Sequence, residues 1–168
     1  MERESGSRLA PSSLLPKSRK YILSLPKSSI DSLQQGRMAG LPNESAAYLF
    51  GNIAEREGKI MIHVEIIIPA RLQQATPSSF EIDPKDQYLK LKEMEKASLE
   101  LVGIAHSHPG RQFVSATDRH FMKNPGPFTK ICWLIVGEYN NAIEIGAYYI
   151  VDGEIHQIPI HLHGKNGA

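Results

Sequence analysis

The sequence predicts a single domain of the α/β class, of the α+β type, in which a largely antiparallel sheet is flanked by helices. Several short apolar runs separated by turn residues are typical of strands. One longer segment, residues 84–99, places its apolar side chains close to a 3.6-residue period, which predicts a helix packed on the sheet. With 168 residues, 41% of them hydrophobic, the chain is long enough to bury one core.

The first half of the chain predicts two secondary-structure elements followed by a hairpin. These are, in chain order, a strand at 21–25, a helix at 27–38 and two hairpin strands at 48–53 and 59–69. Ser28 or Ser29 is the expected N-cap of the helix, and Gly40 closes it. The hairpin turn is charged and contains Gly58, which can supply a positive φ.

The second half begins with a polar loop and then alternates helices with strands. The predicted elements are a helix at 84–99, a strand at 101–105, a short helix at 115–122 and strands at 131–136, 142–151 and 155–162. The strand at 101–105 runs directly into His106. The residues from His106 to Asp118 therefore span the end of a strand and the start of the following helix.

Composition sets the domain limits and the expected location. Residues 1–16 are rich in charged residues, serine and proline, which predicts a flexible arm before a domain at 17–163 and a short tail at 164–168. The net charge of +1 argues against a nucleic-acid partner. The single cysteine, Cys132, excludes an internal disulfide, and no apolar run approaches the roughly 20 residues of a membrane span. We therefore expect a cytoplasmic protein with no membrane partner.

Two histidines and an aspartate form a candidate metal site. His106 and His108 lie two residues apart at a strand end, so their side chains share one face. Asp118, at the start of the next helix, offers an oxygen ligand, and three such ligands leave a tetrahedral zinc ion one open position for water. An open position is typical of a catalytic rather than a structural zinc site.

Ser115 and Asp118 also have a purely structural interpretation. S-x-x-D resembles a capping box, in which a serine and an acid three residues later satisfy free amides of the first helical turn. The same turn could instead direct Asp118 at a metal and Ser115 at a reacting carbonyl. Capping and catalysis therefore compete for the same two side chains.

The segments His106-Ser107-His108-Pro109 and Ser115-Ala116-Thr117-Asp118 resemble the JAMM motif of the MPN+ metalloproteases. That motif consists of a distant Glu, then H-[ST]-H-P, then S-x-x-D. The resemblance implies a cytidine-deaminase-like architecture and one catalytic zinc ion. It implies that His106, His108 and Asp118 are the zinc ligands, with water as the fourth, and that Ser115 steadies the oxyanion.

Glu44 is the candidate for the distant catalytic base. In the family this residue begins the pattern E-x-x-G-x-x-x-G, which residues 44–51 match except that Ala47 replaces the first glycine. Glu65, which alternates with apolar residues on a strand, is the second candidate. Five residues separate Pro109 from Ser115, about one fewer than in the family, which predicts a changed groove beside the metal.

The resemblance implies cleavage after the C-terminal tail of a ubiquitin-like modifier, in deconjugation or precursor processing. The expected partners are a ubiquitin-like protein or its conjugates, with the proteasome or another MPN protein as further candidates. Two alternatives stay open: a peptidase acting on a conjugate of a sulfur-carrier protein, and a non-catalytic MPN scaffold. Scaffolds of that kind typically lose zinc ligands, and all three are present here.

Overall fold

The structure is a computed structural model, and it describes residues 19–126 and 128–164. The predicted arm at 1–16 and all but the first residue of the tail at 164–168 lie outside the described residues, so the domain limits stay a prediction. The described part contains ten strands and three helices, and none of these helices is long and apolar enough to cross a membrane.

The elements of the described residues follow one another in a mixed order. They are β1 (Lys20–Pro26), α1 (Ser29–Gly40), β2 (Ala46–Arg56), β3 (Lys59–Pro69), β4 (Leu72–Thr76), β5 (Ser79–Ile82), α2 (Pro84–Lys96), β6 (Glu100–Ser107), α3 (Ala116–Lys123), β7 (Cys132–Tyr139), β8 (Ala142–Val151), β9 (Glu154–Ile158) and β10 (Ile160–His163). The predicted mixed α+β fold is confirmed, and most predicted bounds agree to within a few residues.

Eight strands form one sheet in the order β10-β1-β3-β2-β6-β7-β8-β9. Four of the seven neighbouring pairs are antiparallel, while β10 with β1, β1 with β3 and β6 with β7 are parallel. Strands β9 and β10 follow each other in the chain but occupy opposite edges. The sheet is therefore curled, so that one extended segment serves both edges.

The predicted single strand at 155–162 is wrong, because the structure divides it at Pro159. Proline has no backbone N–H to contribute to a strand ladder, so a break at this position is expected. The carbonyl of Pro159 instead accepts a hydrogen bond from the Leu23 N–H at 3.0 Å. The residues before Pro159 pair with β8, and those after it pair with β1.

The polar loop predicted before α2 is also wrong, since it forms the separate hairpin β4–β5. These strands are only five and four residues long and carry few apolar side chains. Their stability comes from packing rather than from a strong local pattern, because Phe80 and Ile82 pack against a buried cluster on the main sheet. A weak alternation of this kind is easily read as a loop.

The core lies on both faces of the curled sheet, and β7 shows this most clearly. Alternate residues of β7 belong to two clusters: one includes Leu33 of α1, and the other includes Met94 of α2 and Met122 of α3. A strand buried on both faces is apolar throughout, which explains its continuous apolar run. Cys132 is fully buried there, and burial raises the pKa of its thiol to about 12, so it is a core residue.

Candidate metal centre

The two motif histidines lie at the end of β6, buried under α3. Both side chains are nearly inaccessible, with 3% of His106 and 5% of His108 exposed. The His108 N–H donates to the Val136 carbonyl at 2.7 Å, which extends the pairing of β6 with β7 beyond the strand end. The Nε2 atoms of the two histidines lie 3.2 Å apart. The structure thus brings together the pair that the sequence placed on one face.

Asp118 faces both histidines from the first turn of α3. Its Oδ1 lies 2.9 Å from Nε2 of His106, and its Oδ2 lies 3.2 Å from Nε2 of His108. The capping box is present as well: the Ser115 N–H donates to Asp118 Oδ2 at 2.8 Å, and the Asp118 N–H donates to Ser115 Oγ at 3.0 Å. The two interpretations that competed in the sequence are compatible, because capping holds the carboxylate in place against the histidines.

Glu44 completes the group from the segment before β2. It is 5% exposed, and its Oε1 lies 3.7 Å from Nε2 of His108. Ligand atoms of Glu44, His106 and His108 all lie within 4.8 Å of one another. Glu65, the second candidate base, is exposed on β3 and accepts a hydrogen bond from Asn52 at 2.8 Å. Of these two carboxylates, Glu44 is the one that the structure places beside the histidines.

Hydrogen bonds to two neighbouring strands fix the segment that carries Glu44. The Glu44 N–H donates to the Thr76 carbonyl at 2.9 Å, which ties it to the end of β4. Ser107, between the two histidines, accepts a hydrogen bond on Oγ from the Ser45 N–H at 2.9 Å, and its own N–H donates to the Ser45 carbonyl at 2.9 Å. The middle residue of the H-S-H motif therefore aligns the acid with the histidines.

The donor set and its spacing fit a zinc ion. Ligand atoms bonded at about 2.0–2.1 Å in a tetrahedral zinc site lie about 3.3 Å from one another. The two Nε2 atoms lie 3.2 Å apart, and each has its own Asp118 oxygen nearby, Oδ1 at 2.9 Å from His106 and Oδ2 at 3.2 Å from His108. His108 Nδ1 lies 3.3 Å from the Arg111 carbonyl, and a hydrogen bond there leaves the Nε2 lone pair free for a metal.

Burial and the negative charges of the cluster perturb its proton affinities. Burial raises the pKa of Glu44 to about 7, and the charge of Asp118 acts in the same direction, although His108 opposes it. Burial alone would raise the pKa of Asp118, but hydrogen bonds from His106 and His108 hold it well below the ordinary value. Burial alone would lower the pKa of His108, yet its bond to Asp118 and the nearby acids raise it.

These shifts predict that the metal-free protein loses stability as the pH rises from about 5 to about 8. The folded protein keeps a proton on Glu44 up to about pH 7, whereas the unfolded chain releases it near 4.5. The raised pKa of His108 acts in the same sense. Thermal unfolding with a chelator should show the melting temperature falling with pH, less steeply in Glu44→Gln.

Zinc should reverse this trend, because metal binding requires deprotonated ligands and therefore strengthens as the pH rises. The zinc-induced increase in melting temperature should be larger at pH 8 than at pH 6. A chelated protein whose melting temperature rises over this range, with an unchanged slope in Glu44→Gln, would contradict the assigned proton affinities.

The shortened loop after Pro109 lies flat on the sheet, and Gly137 makes this possible. A Cβ atom at Gly137 would approach backbone atoms of Gly110, Arg111 and Gln112 more closely than 3.0 Å. The Glu138 N–H donates to the Gly110 carbonyl at 2.9 Å and holds the loop down. The sequence does not predict this contact, because a glycine inside an apolar strand does not show which segment crosses it.

Gly137→Ala should destabilise the protein by about 1–3 kcal/mol and weaken metal binding, since the displaced loop carries the carbonyl that orients His108. Gly110→Ala is the matched control in the same loop, because open space surrounds its Cβ position. It should change stability by less than about 0.5 kcal/mol. Chemical denaturation and a zinc titration measure both effects. Equal behaviour of the two variants would show that the loop does not depend on Gly137.

A cavity of about 620 Å³ opens beside the metal centre, between the β4–β5 hairpin and α3. His106 and Asp118 lie on its wall. Its other lining residues are mainly apolar and include Phe80, Ile82, Phe121, Met122, Phe128 and Trp133. The Phe80 ring packs at 5.1 Å from the His106 ring, so the hairpin reaches the centre directly.

Comparisons with known proteins identify the family and the fold of the chain. A family model described as prokaryotic homologs of the JAB domain matches residues 26–150. The solution structure of a protein from Desulfitobacterium hafniense is similar, with a TM-score of 0.70 and 23% sequence identity, covering 85% of this chain and 94% of that chain. At this identity the likeness shows the fold alone. No curated protein matches the chain.

Proposed function

We propose, from the premise that this chain belongs to the family of prokaryotic homologs of the JAB domain, that it is a zinc-dependent peptidase. It would cleave the bond after the C-terminal tail of a ubiquitin-like modifier, in deconjugation or precursor processing. The observation that carries the proposal is the convergence of His106, His108 and Asp118, with Glu44 buried beside them. A non-catalytic scaffold would not require these four side chains to lie together.

The roles of the residues follow from their positions. His106, His108 and Asp118 would hold zinc, which when bound supplies a Lewis acid and lowers the pKa of water to about 7. Glu44, with its pKa raised to about 7, can accept a proton from the attacking water and return it to the departing amine. The Ser115 hydroxyl accepts the capping bond and still has its hydrogen to donate to an oxyanion.

The cavity beside the centre supports an extended peptide as the substrate. Strand β5 lines it and pairs only with β4 within the described part of the chain, so its other edge offers unpaired backbone groups. An added strand can bind such an edge through main-chain hydrogen bonds. The Gly-Gly end of a ubiquitin-like tail could then extend along this edge towards His106 and Asp118, which lie on the cavity wall.

The proposed partners follow from this substrate. They are a ubiquitin-like protein or its conjugates, and the proteasome or another MPN protein would be the setting in which such conjugates are presented. We place the activity in the cytoplasm, where the single buried thiol of Cys132 would stay reduced.

The test uses the full zinc-loaded chain and three substrates that share a ubiquitin-like fold. These are a linear precursor extended beyond Gly-Gly, a lysine-linked conjugate and a sulfur-carrier protein conjugate. Cleavage of the precursor or the lysine-linked conjugate that stops with chelator supports the proposal. Cleavage of the sulfur-carrier conjugate alone would transfer the activity to that substrate. A zinc-loaded protein that cleaves none of them would favour the scaffold.

A further inference from the structure

Arg37 of α1 is a buried cation directed at the backbone behind the metal centre. Only 3% of its surface is exposed. Its Nε donates to the His108 carbonyl at 3.0 Å, and its Nη2 donates to the Pro109 carbonyl. Its Nη1 contacts Glu138 Oε2 at 2.9 Å. One guanidinium therefore connects α1, the metal-binding segment and β7.

The acid that pairs with Arg37 is itself held in place. Glu138 Oε2 also accepts a hydrogen bond from Gln34 Nε2 at 3.2 Å, one turn earlier on α1. The Glu138 N–H donates to the Gly110 carbonyl at 2.9 Å. The ion pair is thus part of a network that encloses the chain from His108 to Gly110.

An ion pair between a buried guanidinium and a partly exposed carboxylate is a weak source of stability. Removing a guanidinium from water is costly, and apolar side chains of similar volume often stabilise a core as well or better. Leu33, one turn earlier on α1, shows that this helix can bury an apolar residue against the sheet. What an apolar residue cannot do is donate hydrogen bonds to the carbonyls of His108 and Pro109.

Those two carbonyls lie where the regular sheet pairing ends. The register of β6 with β7 stops at Ser107, and the His108 N–H makes one further bond to the Val136 carbonyl. A buried carbonyl without a partner is costly, so a donor at this position fixes the peptide planes after His108. Their direction determines where the chain continues to Arg111, whose carbonyl lies 3.3 Å from His108 Nδ1.

We propose that Arg37 is a positioning residue for the metal centre: its guanidinium orients His108 through the following backbone and thereby sets the metal affinity of the site. This inference rests on the proposed metal-binding function. Groups that orient a metal-binding histidine typically change affinity by about 10–100-fold when they are removed. Arg37 would act in this way without touching the metal or the substrate.

The competing explanation is that Arg37 only stabilises the fold. Leu33→Ala is the matched control. Leu33 is buried on the same helix in an apolar core cluster, and its side chain makes no hydrogen bond to His108. Arg37→Met removes all the donors while keeping an unbranched apolar stem. Arg37→Lys keeps the charge but loses the planar arrangement of donors.

The experiment measures metal binding by the full metal-free chain with Co²⁺ as the probe, using affinity and the visible absorption spectrum. Arg37→Met should bind about 10–100-fold more weakly than the wild type, with a changed spectrum, and Arg37→Lys should recover part of the affinity. Leu33→Ala should lower the melting temperature but keep affinity within about twofold of the wild type.

Four results separate the possible failures. Wild-type affinity and spectrum in Arg37→Met would overturn the positioning role, as would an equal loss of affinity in Leu33→Ala. If Arg37→Met does not fold, Arg37→Lys decides: a several-fold loss of affinity supports the role, and unchanged affinity overturns it. A wild-type protein that binds no Co²⁺ would overturn the proposed metal function itself, and the positioning role with it.

Discussion

Asp118→Asn should abolish stoichiometric zinc binding and reduce peptide cleavage by at least about 1,000-fold, more than the 10–100-fold typical of an outer-shell partner. The Asp118 carboxylate lies 2.9 Å from His106 Nε2 and 3.2 Å from His108 Nε2, so it supplies the negative charge that both histidines face. An amide keeps the shape of the carboxyl group but is a neutral and poor zinc ligand. Metal analysis and a cleavage assay on one preparation measure the two effects.

The asparagine variant is preferable to alanine, because it separates metal binding from helix capping. Its amide oxygen can still accept the hydrogen bond from the Ser115 N–H, whereas alanine would lose that bond and keep only the one from its own N–H to Ser115 Oγ. His108→Ala should match Asp118→Asn in zinc content, and Arg119→Ala, exposed on the same helix, should keep zinc and activity. An Asp118→Asn protein that retains one zinc per chain would remove Asp118 from the ligand set.

Glu44→Gln should keep zinc but lower kcat by about 10²–10⁴-fold, the range that general acid–base catalysis contributes. Glu44 lies 3.7 Å from His108 Nε2, and the glutamine keeps its size while losing the ability to carry the transferred proton. The combination of retained metal and lost turnover distinguishes a base from a ligand. Zinc analysis and steady-state kinetics measure the two properties.

Glu65→Gln is the matched control for Glu44, because Glu65 is exposed and hydrogen bonded by Asn52. It should retain wild-type activity and zinc content. If Glu44→Gln stayed active while Glu65→Gln lost turnover, the role of base would pass to Glu65. If both variants stayed active, neither acid would be the base.

The grouping of the candidate site could be predicted because its parts are local patterns. The two-residue spacing of His106 and His108 at a strand end places them on one face, and the capping box places Asp118 at the start of α3. Only the family resemblance points to Glu44, because the residues around it do not show that β2 pairs with β6 and so brings Glu44 near the histidines.

The supporting residues could not be predicted, because their partners are distant in the chain. Arg37 meets a carbonyl 71 residues later, and Gly137 lies under a loop that precedes it by some 25 residues. The one local signal for Arg37 is its position four residues after Leu33, which places this cation on the buried side of α1. Pro159 cannot donate to a strand ladder, so a break at this position can be predicted. That the chain moves to the opposite edge of the sheet after the break cannot.

We expect His106, His108 and Asp118 to form one zinc site in the folded protein. The most direct measurement is the zinc content of the wild-type chain prepared without chelator, compared with Asp118→Asn prepared in parallel. We predict one zinc ion per wild-type chain and less than a tenth of that in the variant. A wild-type protein without zinc that also fails to take up added zinc, or an equal zinc content in both proteins, would contradict it.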